Sequence, residues 1–121
     1  MDFAKQFVVL EHTAGGETHW DLLLEDDAAL LTWRMRLSPE QIGDSHVTVE
    51  QITDHAVRFL HYEGPVQQHT GTVKRIERGT FRWVQKKESA FIVFLRGDKL
   101  TGLFKMERLL GGPNWVLTRQ R

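Results

Sequence analysis

Short apolar runs rich in Val, Phe, Trp and Leu recur every eight to twelve residues along the chain, separated by Gly, Asp, Asn or Pro. That spacing predicts an all-β protein, an antiparallel β-barrel or sandwich of about eight strands. Ten segments carry the pattern: 6–12, 18–25, 29–35, 46–52, 56–63, 71–77, 80–85, 89–95, 99–107 and 114–120. Not all ten are needed. Tight hairpin turns are expected at EDDA (25–28), ERGT (77–80) and RGDK (96–99), where turn-forming residues lie between β-like runs. Only LSPEQIGD (37–44) has the marks of a helix, with Ser38 as N-cap, Pro39 at the first position, Gln41 at the capping-box position and Gly43 as the stop. One helical turn is predicted there.

At 121 residues, 40% hydrophobic and 26% charged, the chain has the size and composition of one folded domain, taken as 1–121. Sixteen basic residues balance sixteen acidic ones, so net charge points to neither a nucleic acid nor a membrane. The absence of cysteine excludes disulfides, thiolate nucleophiles and zinc–thiolate sites. Any metal must be held by nitrogen and oxygen. The start, MDFAKQFVVLEH, lacks the features of a signal peptide, and no apolar window reaches membrane-span length. A cytoplasmic protein without a membrane partner is expected.

Chemistry concentrates in EHTAGGETHWDLLLED (11–26). On a strand over 18–25, Trp20, Leu22 and Leu24 share one face, and His19, Asp21, Leu23 and Glu25 share the other. The imidazole and carboxylate then lie roughly 7 Å apart on one face. Folding back TAGGET brings His12 close to His19, so that two histidines and one carboxylate converge. Such donors suit Mn²⁺, Fe²⁺ or Zn²⁺ and leave positions open for water or substrate. Surface histidines and a solvated Asp21 explain the same spacing without a metal, and His19 and Asp21 with a later histidine also match the iron triad of a non-haem oxygenase in type. Glu11 and Glu25 bracket the stretch as partners that would orient a histidine, or as surface residues.

A wider ordered series runs FVVLEH (7–12), HWDLLLE (19–25), LLTW (30–33), TDH (53–55), YEGP (62–65), GTV (71–73), RGTF (78–81) and WVLTR (115–119). In this order the motifs resemble the 3′-phosphoesterase module of bacterial DNA ligase D and its small free-standing relatives, across nearly the whole chain. The resemblance implies an antiparallel β-barrel that binds Mn²⁺, with Zn²⁺ as another candidate ion, and trims DNA or RNA 3′ ends for repair, next to a ligase or polymerase of end joining. It implies His12, His19 and Asp21 as metal ligands and His55 as the histidine on the phosphate. His19, Asp21 and His55 are thus the expected catalytic residues. Two positions depart from the family pattern: Leu23 stands where an arginine is usual, and Phe59 where a tyrosine is usual. The alternative reading is a catalytically weak module that binds metal and DNA ends.

Replacement cations for the phosphate are sought in Arg34, Arg36 and Arg58, and His46 lies near the position of a further family arginine. His61 and His69 read as loop histidines, Trp33, Trp83 and Trp115 as core, and the small basic clusters Lys86–Lys87 and Arg119–Arg121 equally as contacts to a phosphate backbone or as ordinary solvated charge.

Overall fold

A computed structural model describes residues 5–44, 46–66 and 71–120. Its strands are β1 (Lys5–Ala14), β2 (Glu17–Asp26), β3 (Ala29–Met35), β4 (Val47–Ala56), β5 (Gly64–Pro65), β6 (Thr72–Lys87), β7 (Ala90–Gly97), β8 (Thr101–Arg108) and β9 (Asn114–Arg119). The order is β1-β2-β3-β4-β9-β8-β7-β6, and pairing of β1 with β6 closes these eight antiparallel strands into a ring. This is the expected barrel, with the two-residue β5 added on β6. The short helix α1 (Pro39–Ile42) starts where the capping signals put it, and Gln41 Oε1 accepts the Ser38 N–H at 2.9 Å.

Inside the ring, one face of each strand supplies a large apolar core that includes Phe7, Val9, Leu22, Leu24, Trp33, Phe81, Phe104 and Trp115. Trp33 and Trp115 are buried, and Trp83 packs against the same cluster, as expected of core tryptophans. The outer face is not all polar. Val8, Leu10, Leu23, Leu30, Leu60 and Val73 form a second, smaller cluster on the outside of the wall, with Phe59, Tyr62 and Val66 packed against it. The runs FVVL and LLL are continuous rather than alternating because these strands are buried on both faces.

That outer cover overturns the strand expected at 56–63. Val57–Leu60 is a 3₁₀ turn, in which Leu60 joins the outer cluster and Phe59 packs against it instead of alternating in a sheet. The hairpin expected at ERGT is also absent. Residues 77–80 run inside the sixteen-residue β6, which pairs with β1 from Thr72 to Phe81 and with β7 from Gly79 to Lys87. Gly79 serves close approach rather than a turn, since a Cβ there would collide with the Arg96 carbonyl oxygen. The turns at EDDA and RGDK form as predicted, joining β2 to β3 and β7 to β8. Among the described residues, no helix is long and apolar enough to cross a membrane.

Candidate metal centre

Between β1 and β2 lie only Gly15 and Gly16, both with positive φ (59° and 81°), the conformation a two-residue hairpin turn of this hand requires. A two-residue turn fixes the register, and Ala14 opposite Glu17 puts His12 directly opposite His19. The rings meet edge to face with centroids 4.8 Å apart, and His19 Nε2 lies 3.1 Å from His12 Nδ1. Asp21, two residues along the same face as His19, is 1% exposed. Its partner across the β2–β3 ladder is Arg34. Arg34 Nε donates to Asp21 Oδ1 at 3.0 Å and Nη2 to Oδ2 at 3.3 Å. The same Nη2 stands 3.4 Å from His12 Nδ1.

Arginine has only protons to offer, so His12 Nδ1 faces it as a lone pair, and His19 Nε2 is then the nitrogen that donates to His12. Burial, and after it the Arg34 guanidinium, hold the His19 pKa below its ordinary 6.5, while Asp21 pulls the other way. The neutral imidazole thus favoured is the charge state a metal needs, and ligation through Nε2 requires its proton to move to Nδ1.

The donor set fits a divalent ion in chemistry and, for the histidine pair, in spacing. Two nitrogens each about 2.1 Å from one ion are themselves about 3.0–3.4 Å apart, and the histidine pair is at 3.1 Å. The carboxylate is on the same wall but held by Arg34. Among the described residues, no three His, Cys, Asp or Glu side chains converge closely enough to hold an ion.

His55, near the end of β4, sits apart from these three. Its Nδ1 is 3.0 Å from Thr32 Oγ1 and 3.1 Å from the Thr53 carbonyl oxygen. The single hydroxyl proton of the buried Thr32 goes to the Leu30 carbonyl at 3.0 Å, so Nδ1 of His55 must be the donor toward Oγ1. The lone pair is left on Nε2. The ring packs edge-on to Phe59 at 5.3 Å. Arg58 lies over the Phe59 ring at 4.6 Å. The hydroxyl missing at Phe59 is not supplied by Tyr62, which donates to the Pro65 carbonyl.

Leu23 does share the ligand face, yet it is 0% exposed within the outer apolar cluster. Arg34 and Arg36 line a cleft of about 560 Å³ into which His19 also faces, bounded by Glu17, Glu50 and Asn114. Glu11 lies on the opposite face of β1 from His12, and the Glu25 carboxylate accepts the Gln6 N–H at 2.8 Å, away from the histidine pair. His46 bonds Thr118 Oγ1 instead. His61 lines a different cleft with Arg75, Arg78 and Arg96, and Lys86 pairs with Asp26. His69 and Arg121 lie outside the described residues.

Thr32 and the Arg34–Asp21 pairing are the features of the candidate site that strand-by-strand reading missed. The signal for the pairing was present: a two-residue turn at Asp27-Ala28 sets Asp26 opposite Ala29 and therefore Asp21 opposite Arg34. A closed antiparallel ring carrying two facing histidines and a buried aspartate on its outer wall is the class of protein defined here. The family model of the DNA Ligase D 3′-phosphoesterase domain matches residues 10–108, and the chain belongs to that family. A comparison with curated proteins finds no match.

Proposed function

We propose that this protein hydrolyses phosphoesters at the 3′ ends of nucleic acids with a divalent ion, Mn²⁺ or Zn²⁺, held by His12, His19 and Asp21. The observation that carries this reading is the facing imidazole pair, 3.1 Å between nitrogens, beside a buried carboxylate at the edge of a nucleotide-sized cleft. An ion there supplies Lewis-acid polarisation of the phosphoryl oxygen and activation of water. His55 presents Nε2 to the phosphate, as donor when protonated and as base when neutral, with its orientation set by Thr32. Arg34 and Arg36 contribute positive charge along the cleft where the end of the strand would lie. A ligase or polymerase of end-joining repair would use the trimmed end.

The test is a primer–template ending in a 3′-phosphate or a single ribonucleotide, incubated with Mn²⁺. Turnover should fall by about a hundred-fold or more in His19→Ala. No product above that control refutes catalysis. The engagement of Asp21 by Arg34, with Leu23 and Phe59 in place of polar family residues, favours a second reading, a module that binds metal and DNA ends without turnover. Stoichiometric Mn²⁺ uptake and saturable end binding with no product would establish it.

A further inference from the structure

Arg34 stands among the residues proposed as ligands, not beside them. Its Nη2 touches both Asp21 Oδ2, at 3.3 Å, and His12 Nδ1, at 3.4 Å. A guanidinium nitrogen in contact with two donors of one site is a cation already sharing that site. A carboxylate that ligates an ion must give up the bidentate grip of Arg34, and a dication close to a fixed guanidinium is repelled by it. The arginine has somewhere to go: its side chain is 32% exposed, against 2% for Asp21, and it lines the cleft that holds Arg36.

We propose that Arg34 is the phosphate-binding cation of this site and that it is shared between two positions. In one it neutralises Asp21. In the other it has turned into the cleft to meet the phosphate of the 3′ end, releasing Asp21 to the metal. The proposal rests on the metal-dependent reading above and adds a linkage: phosphate draws Arg34 out and so tightens the metal, and the metal displaces Arg34 and so tightens the phosphate.

The linkage is measured by titrating Mn²⁺ into the intact protein, by calorimetry or by loss of the free-ion electron paramagnetic resonance signal. The titration is run with a short DNA strand ending in a 3′-phosphate and with the same strand ending in a 3′-hydroxyl. For the parent protein the phosphate-ended strand should tighten Mn²⁺ by roughly tenfold relative to the hydroxyl-ended one, within the usual range of coupling between sites, and Mn²⁺ should tighten the strand by the same factor. Arg34→Gln should bind Mn²⁺ about tenfold more tightly than the parent without DNA and should lose the coupling. Its metal-free melting temperature should drop, because Asp21 is left buried without its cation, and Mn²⁺ should raise it by more than in the parent. Arg34→Lys, which keeps charge without the fork, should fall between the two. Weaker or unchanged Mn²⁺ binding in Arg34→Gln, or coupling that persists in it, overturns the proposal and leaves the metal site standing. Failure of parent and variant alike to bind Mn²⁺ refutes the metal reading itself.

Discussion

Placing arginine at Leu23, the residue usual in the resembling modules, tests whether this position is a lost catalytic site or a structural one. The side chain is 0% exposed and shares the outer cluster with Val8, Leu10, Leu30, Leu60 and Val73. Truncating a buried leucine costs about 2–5 kcal/mol. The small outer cluster, with the partly buried Phe59, Tyr62 and Val66 packed against it, can settle, so Leu23→Ala should lose about 2–3 kcal/mol, toward the low end of that range. Leu23→Arg loses the same contacts and adds a charge between Asp21, already paired with Arg34, and Glu25, whose carboxylate already accepts the Gln6 N–H. It should cost about 3–5 kcal/mol, a large share of the roughly 5–15 kcal/mol that holds a domain together. Four tryptophans make fluorescence a direct reporter of urea unfolding. With an m-value of roughly 1.5 kcal/mol per molar, the Leu23→Ala midpoint should fall by about 1.3–2 M, and that of Leu23→Arg by more. A Leu23→Arg protein within about 0.5 kcal/mol of the parent that also gains 3′-phosphate turnover would refute the argument, since the wall would then have room for the arginine.

Glu77, 3% exposed, accepts backbone N–H groups of Arg78, Asp98, Lys99 and Leu100 at 2.6–3.1 Å and so ties β6 to the β7–β8 turn. Glu77→Gln replaces one acceptor oxygen with a donor and should cost about 2–4 kcal/mol, seen as a melting temperature lower by roughly 8–15 °C. Thr32→Val keeps the volume but removes one of the two partners of His55 Nδ1, leaving the Thr53 carbonyl. If 3′-end hydrolysis is found, kcat should fall by roughly ten-fold with a changed pH profile, while Mn²⁺ affinity stays the same. Because the His19 pKa is lowered from 6.5, chiefly by burial, the folded chain binds fewer protons there than the unfolded one. Its share of stability is complete above pH 6.5 and is lost as pH falls through the lowered folded value. The slope of stability against pH below 6.5 should flatten in His19→Gln, and an unchanged slope would contradict the partial desolvation of this imidazole.

Much of the molecule was legible along the chain. Regular short apolar runs specify the β class, and the paired glycines specify a two-residue turn that sets His12 against His19 by counting alone. Ser38, Pro39 and Gln41 mark the start of α1 because capping is chemistry between residues three apart. These are local interactions, and local chemistry is written in order. Tertiary structure decided what covers each face. Alternation placed Leu23 beside Asp21 correctly but could not show that a 3₁₀ turn thirty-odd residues later seals it from water. Nor could it show that Gly79 lies under the backbone of a neighbouring strand rather than in a hairpin. Arg34 illustrates the boundary: its register opposite Asp21 follows from a turn, whereas the contact of one guanidinium nitrogen with both Asp21 and His12 needs three strands laid side by side. Period-two geometry assigns a side chain to a face, and only the folded ring determines which charge, ring or apolar cover meets it there.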